Sequence, residues 1–391
     1  MSTHDEKTFI PYGKQSINQE DIDAVVRVLK SGWLTTGPEV ASFEGALKKV
    51  AQTKHAMALS NGTAALHAVA HALQLGPGDE VIVPTITFTA TANAAVYVGA
   101  TPVFADVRSD DMLLDPEEVR KKITKNTKAI FAVDFAGQAC DYHSLRGIAD
   151  EYGLALVSDS CHAIGATYQG KPIADWADMA IFSFHPVKHI CAGEGGAVVT
   201  NNDLWAKQIR RFRNHGIDKD VRQRQEQGTW YYEQVDLGYN YRLSDIHCAL
   251  GRSQLAKLPK WIEERQRVAK AYAGYFAEQT GVRPLVAHKD RSHTYHLMIA
   301  VFDDQQSRDS AYELMRAHQI GVNVHYTPVH LQPFYQNNYG TGPGDCPVAE
   351  KLYDRILTLP MYPGLTQEDL ERVFDLVSNV VVQPNNISKA G

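Results

Sequence analysis

Asp178-Met-Ala-Ile-Phe-Ser183-Phe-His-Pro-Val-Lys188-His-Ile-Cys-Ala-Gly-Glu-Gly-Gly196 decides how the rest of this chain is read. It opens as an apolar run that ends at a hydroxyl, Ser183. Lys188 follows five residues later, just before a glycine-rich turn. Upstream, a second apolar run, Leu154-Ala-Leu-Val-Ser-Asp159, ends in an acid. Short, continuous apolar runs are the mark of strands buried on both faces. Five more such runs lie at 56–59, 80–83, 102–105, 128–133 and 197–200. Helical stretches fall between several of them, at 63–75, 89–98, 116–123 and 142–152. The alternation predicts an α/β fold built on a mostly parallel, seven-stranded sheet. Ligands of such sheets sit beyond the carboxyl ends of the strands. Asp159, Ser183 and Lys188 all fall there.

Residues 1–35 read as an arm and a first helix at 17–29, stopped by Lys30-Ser-Gly32. A second helix follows Pro38. The large domain spans 36–250, and its segment 215–245 is loop-like, polar and aromatic. One long helical stretch, from about 244 to 279, leads into a smaller α/β domain within 251–391. That domain is expected to hold a strand at 295–301, a helix at 307–318, a strand at 322–325 and a closing helix near 367–380.

The composition narrows the function classes. The 391 residues are too many for one small core. A net charge of −6 leaves no basic surplus for nucleic acid. No apolar run approaches the roughly 18–20 residues of a membrane helix, and the N-terminus Met-Ser-Thr-His-Asp-Glu-Lys has no apolar signal core. The five cysteines, Cys140, Cys161, Cys191, Cys248 and Cys346, show no disulfide spacing and read as reduced thiols of a cytoplasmic protein.

A lysine that forms a Schiff base, a hydroxyl for a phosphate and an acid for a ring nitrogen are together the protein side of pyridoxal 5′-phosphate (PLP) chemistry. Lys188, Ser183 and Asp159 supply one of each. Ser60-Asn-Gly62-Thr63-Ala-Ala-Leu66 is a turn opening a helix. Its free N–H groups and the helix dipole suit a phosphate; Gly62 permits close approach and Thr63 adds a hydroxyl. An ordinary helix cap is the plainer reading of that turn taken alone. His162 is close enough in sequence to Asp159 to meet the cofactor's phenolic oxygen. Phe88, at a strand-to-helix junction, can stack on a flat ring, although a phenylalanine there is more often core. Asp159, Cys161 and His162 do not make a zinc site, because paired ligands at short spacing are missing; no metal is expected.

These segments together resemble the sugar aminotransferases of the aspartate-aminotransferase-like, fold-type I PLP family. The resemblance runs from about Ile10 to Val381. It is carried by Ser60-Asn-Gly-Thr-Ala-Ala-Leu-His67, Thr87-Phe-Thr-Ala-Thr-Ala-Asn93, Asp159-Ser-Cys-His-Ala-Ile-Gly-Ala166, Ser183-Phe-His-Pro-Val-Lys188 and Glu194-Gly-Gly196. Gly238-Tyr-Asn240-Tyr-Arg242-Leu-Ser-Asp245, His325-Tyr326-Thr-Pro-Val-His330 and Leu359-Pro-Met-Tyr-Pro363 add to it. Cys161 departs from the small residue usual at its place.

The resemblance implies a PLP-dependent transaminase in which Lys188 carries the cofactor and Asp159 holds its ring nitrogen. Gly62, Thr63, Phe88, His162 and Ser183 are the implied cofactor contacts, joined by Asn240, which reaches a neighbouring subunit's cofactor in a homodimer. Glutamate is the implied amino donor. Thr35, His185, Arg242, His325 and Tyr326 are candidates for the sugar substrate. Ile10-Pro-Tyr-Gly-Lys-Gln-Ser-Ile17 and Val133-Asp-Phe-Ala-Gly137 look most like the branch that aminates a UDP-linked 4-keto-6-deoxy-N-acetylhexosamine on the way to pseudaminic acid. Relatives that dehydrate sugars instead have histidine in place of the lysine, and Lys188 argues against that reaction here. A binding module without turnover would lack the lysine, the acid or the serine.

Overall fold

The computed structural model describes residues 8–219, 224 and 226–381. Helix α1 (Gln19–Lys30) starts at Asn18, whose side chain accepts from the Asp21 N–H while the Asp21 carboxylate accepts from the Asn18 N–H. This reciprocal cap fixes the start two residues after Ile17, which stays exposed. Helix α2 (Pro38–Ala51) follows with proline in its first turn.

The large sheet and its helices come next: β1 (His55–Leu59), α3 (Gly62–Ala72), β2 (Glu80–Pro84), α4 (Thr89–Tyr97), β3 (Thr101–Ala105), α5 (Pro116–Lys122), β4 (Thr127–Val133), α6 (Tyr142–Tyr152) and β5 (Ala155–Asp159). A small hairpin, β6 (Thr167–Tyr168) with β7 (Lys171–Pro172), precedes β8 (Met179–Ser183), β9 (Gly196–Thr200) and α7 (Asp203–Phe212). The seven strands lie in the order β1-β9-β8-β5-β4-β2-β3, and each falls within a residue of an apolar run in the sequence. All pairings are parallel except those of β9, which runs against both neighbours. The connection, residues 184–195, contains no helix to cross a face of the sheet, as a parallel return usually requires. The other six strands therefore send their carboxyl ends to one edge of the sheet.

Both faces of that sheet are buried by alternation along each strand. Met57, Leu59, Met179 and Ile181 enter one apolar cluster. Their neighbours Ala56, Ala58, Ala180 and Phe182 enter another, under Phe43 and Leu47 of α2.

After the loop region come α8 (Asp245–Leu255), α9 (Leu258–Ala277), β10 (Val282–Pro284), β11 (Met298–Phe302), α10 (Gln305–Ala317), α11 (Pro333–Tyr339), α12 (Pro347–Tyr353), β12 (Ile356–Leu359) and α13 (Gln367–Val381). Two expectations are corrected here. The helix expected over 244–279 is broken after Leu255, because Pro259 in the first turn of α9 has no N–H with which to continue α8. The strand expected at 322–325 is reduced to a single bridge between Asn323 and Thr358. The third strand of the small sheet is instead β12, antiparallel to β11 and buried at all four residues.

A separate apolar core joins α9, the small sheet, α10 and α13 through Tyr272, Phe302, Leu357, Leu370 and Val377. Ile10 belongs to it: the arm's Ile10 N–H donates to the Gln319 carbonyl at 3.0 Å, and the Gly321 N–H donates to Ile10 at 2.7 Å. No helix among the described residues is long and apolar enough to cross a membrane.

Candidate active site

The carboxyl edge of the sheet opens on a cavity of about 1090 Å³. At one end, three backbone segments meet. Asn61 accepts from the Ala64 N–H at 2.8 Å and so caps α3, which leaves the Gly62 and Thr63 N–H groups unpaired among the described residues. A β-carbon on Gly62 would stand 3.2 Å from Ser183 Cβ and 3.3 Å from Cys161 Sγ. One on Gly196 would collide with the Asn61–Gly62 peptide, 2.6 Å from the Gly62 nitrogen. Two glycines thus draw the α3 turn, the end of β8 and the start of β9 together. The result is a cradle of N–H groups with the Ser183 and Thr63 side chains beside it, at the positive end of a helix.

Asp159 forms the opposite wall. It is buried, and its Oδ2 accepts from Thr91 Oγ1 at 2.6 Å while Oδ1 accepts from the Cys161 N–H at 3.2 Å. Thr91 in turn touches Thr87 Oγ1 at 2.8 Å. Behind this turn lies a second carboxyl, Asp134, at the end of β4. Tyr142, Ser158, Ser160 and the Cys140 N–H all donate to it at 2.7–2.9 Å, and the Asp134 N–H donates to the Asp159 carbonyl at 3.1 Å. Burial pushes the Asp134 carboxyl up to about 6, against the pull of its four donors.

Lys188 rises between these two ends from the β8–β9 connection. Burial holds its amine below the ordinary lysine value, opposed by Cys161 and Asp159 and aided by Arg265. Its Nζ lies 3.4 Å from His296 Nε2. His162 packs against His296 with ring centroids 4.3 Å apart, and its Nε2 meets Tyr326 Oη at 3.1 Å. Burial, then the Lys188 charge, holds both histidines well below their usual range. His325 is pushed down to about 4 by the same two causes and shares a hydrogen bond with Thr358 Oγ1 at 2.8 Å. Phe88 is 59% exposed, its ring facing the cavity rather than the core, 6.2 Å from Tyr326.

The cavity therefore brings together Gly62, Thr63, Phe88, Asp159, His162, Ser183, His185, Lys188, His325 and Tyr326. Three residues singled out from sequence are not in it. Thr35 and Arg242 line a second cavity of about 630 Å³, with Arg210 and Arg213. Asn240 is exposed and bridges to Asn214. Sequence reasoning assigned no role to Thr91, His296, Tyr12 or Asn323, which all line the main cavity. The threonines at 87 and 91, one helical turn apart in an apolar segment, were the legible signal; nothing local marks His296.

A reactive lysine, an anion cradle and a buried acid on one edge of a seven-stranded sheet define a PLP-dependent aminotransferase of fold-type I. Residues 15–378 match the model of the DegT/DnrJ/EryC1/StrS aminotransferase family, and the chain belongs to that family. It is 36% identical over 378 residues to the spore coat polysaccharide biosynthesis protein SpsC of Bacillus subtilis, covering 95% of this chain and 97% of that one. Among solved structures it resembles Spr1654 from Streptococcus pneumoniae, described as a sugar aminotransferase, in its PMP form. The TM-score is 0.90 at 31% identity, covering 95% and 99% of the two chains. It also resembles Helicobacter pylori PseC, an aminotransferase involved in the biosynthesis of pseudoaminic acid, with a TM-score of 0.89 at 31% identity over 96% and 100% of the chains. The chain is a sugar aminotransferase and its cofactor is PLP.

The residues present fit that cofactor. The unpaired Gly62 and Thr63 N–H groups match a phosphate, Asp159 keeps lone pairs free for a ring nitrogen, and Phe88 presents an open aromatic face.

Proposed function

We propose that this enzyme transfers the amino group of glutamate to C4 of a UDP-linked 4-keto-6-deoxy-N-acetylhexosamine, on a route to pseudaminic acid, and that it acts as a homodimer. The likeness to PseC along nearly the whole chain carries the sugar reading. The cavity holding Thr35 and Arg242 supports an anionic substrate. Of the arginines there, Arg213 is spent on the Glu44 carboxylate at 2.5 Å, and burial together with the Arg213 charge holds the Arg242 guanidinium below its usual value. Crowded guanidinium groups of this kind suit a diphosphate. Asn240 is exposed and does not line its own subunit's main cavity, and its loop exposes Trp230 (84%) and Leu237 (67%). Apolar surface rimmed by polar groups marks an association face, so this loop supports a second copy whose cofactor Asn240 would reach.

Bound PLP supplies a carbon for the lysine to bond and an electron sink for the carbon that loses its proton. Gly62, Thr63 and Ser183 would anchor its phosphate, and Asp159 would hold a proton on its ring nitrogen. Lys188 Nζ, when not bonded to the cofactor, would take the proton that leaves the donor's α-carbon and, in the reverse half, deliver one to C4 of the sugar. His325, Tyr326 and His185 offer hydrogen bonds to the sugar ring.

The test is incubation with glutamate and matched UDP- and dTDP-linked 4-keto-6-deoxy sugars, with and without the N-acetyl group, followed by NMR of the product at C4. Amination of the UDP N-acetyl sugar is the expected result. Preference for a dTDP sugar lacking the N-acetyl group, or for a free amino acid over every sugar, would defeat the reading.

A further inference from the structure

Among the described residues, the Lys188 amine makes one hydrogen bond, to His296 Nε2 at 3.4 Å. The segment that carries His296 is held from several directions. The Thr294 N–H donates to the Gly137 carbonyl at 2.8 Å and the Leu297 N–H to Ala136 at 3.3 Å. Arg265, buried, sends Nη1 to the carbonyls of Tyr295, His296 and Met361 at 3.0–3.3 Å. A β-carbon on Gly137 would stand 2.7 Å from Thr294 Oγ1 and 2.9 Å from the His296 nitrogen, so the segment packs flush against that turn. Tyr295 adopts a φ of 50°, a left-handed conformation unfavourable for a residue with a β-carbon. Such a conformation persists where the surroundings over-determine it.

In the other histidines near the lysine, Nε2 is engaged elsewhere. His189 Nε2 donates to the Thr294 carbonyl at 2.9 Å, and His162 Nε2 meets Tyr326 Oη. Both nitrogens of His325 are paired, with Thr358 and Asn323. His296 Nδ1 is buried with no partner among the described residues, as are Nδ1 of His162 and of His189; what sets His296 apart is that its Nε2 meets the lysine. An apolar residue would fill the space without that cost.

We propose that His296 is a positioning residue for the free lysine. Its Nε2 lone pair accepts a hydrogen from Nζ whenever Lys188 has no bond to the cofactor. The contact keeps the amine in one orientation over the cavity floor and favours its ammonium form. His296 therefore acts between the lysine's turns of bonding. The proposal rests on Lys188 being the cofactor lysine, which borohydride reduction of the loaded enzyme and mass spectrometry of the labelled peptide test separately.

The groups facing the Lys188 amine are Asp159, Cys161 and His162 from the β5 turn, His189 from its own loop, His296 and His325 from the small unit, and Arg265 behind them. The experiment uses ligand-free protein. Trace acetic anhydride is added across a pH series, and acetylation of the Lys188 peptide, read by mass spectrometry, gives the amine's titration midpoint. Removing an acceptor disfavours the ammonium form, so His296→Leu should lower the midpoint by about one pH unit. His296→Gln, which extends a carboxamide oxygen, should restore most of the difference. His296→Asn is too short to reach and should behave like the leucine variant, and it stands in if that variant does not fold. An unchanged or raised midpoint in the leucine or asparagine variant, or equal midpoints in the leucine and glutamine variants, would overturn the proposal.

Discussion

Thr91→Val isolates a single proton. Thr91 is fully buried, and its one hydroxyl hydrogen goes to Asp159 Oδ2 at 2.6 Å. Thr87 must therefore be the donor in the 2.8 Å contact between the two threonines. Valine keeps the shape and removes both links. A buried hydrogen bond to a charged group contributes about 1.5–3 kcal/mol, and the stranded Thr87 hydroxyl adds to the loss. An unfolding entropy of about 2.1 cal/mol/K per residue gives, for 391 residues, ~0.8 kcal/mol/K. A loss of about 2–3 kcal/mol then lowers the melting temperature of the ligand-free protein by roughly 2–4 °C. Calorimetry measures this directly. In the loaded enzyme, a carboxylate free to turn away from the ring nitrogen should lower turnover about tenfold, the equivalent of ~1.4 kcal/mol. Thr91→Ser keeps the donor and should recover most of both effects. A valine variant with wild-type melting and turnover, or a serine variant as damaged as the valine one, would refute the reasoning.

Gly196→Ala forces a β-carbon into the Asn61–Gly62 peptide; overpacking of this kind costs about 1–3 kcal/mol. A lower melting temperature should accompany a weaker cofactor affinity on reconstitution, because the same peptide forms the phosphate cradle. His325, at about 4 in the folded protein against 6.5 unfolded, binds fewer protons than the unfolded chain between those values. Stability is therefore complete above about pH 6.5 and is lost as pH falls, with this residue contributing about 2 kcal/mol of the loss at pH 5. Asp134, raised to about 6, works in the opposite sense, so the useful measurement is the difference in urea midpoints, where His325→Gln should show a shallower acid decline than wild type. Lys188→Ala and Asn240→Ala should each be inactive alone, yet regain activity when mixed after mild dissociation, because a hybrid dimer contains one site free of both lesions; a fully active monomer in sedimentation would exclude a shared site.

Sequence was most readable where structure is local. The seven strands of the large sheet are continuous apolar runs bounded by glycine, proline or acids, and each appears within a residue of its expected place. The small unit was harder. Its strands are three to five residues long, and the half-buried valines at 322 and 324 imitate a strand that β12 supplies instead. The break between α8 and α9 was hidden because Leu255-Ala-Lys-Leu258 favours helix throughout, and proline is comfortable in the next helix's first turn. In the site, Asp159, Ser183 and Lys188 were legible because each ends or follows its own strand. Thr91 showed only as a threonine spaced four residues from Thr87, and His296 not at all, since their partners lie 68 and 108 residues away in the chain. Only the meeting of α4 with the end of β5 at the Thr91–Asp159 bond, and of the segment before β11 with Gly137, gives them a role.

The reversed strand β9 also governs how the chain is made. β1 stands at the edge of the sheet, and β9 is its one strand partner. Nearly 140 residues separate the two, which at roughly 5–20 residues per second is on the order of ten seconds of synthesis. During that interval His55–Leu59, with four side chains destined for full burial, has no strand to pair with. An unpaired apolar strand is a template for association with other chains. A ribosome that stalls before Gly196 leaves that template open, and the segment whose arrival closes it is the one that has just delivered Lys188.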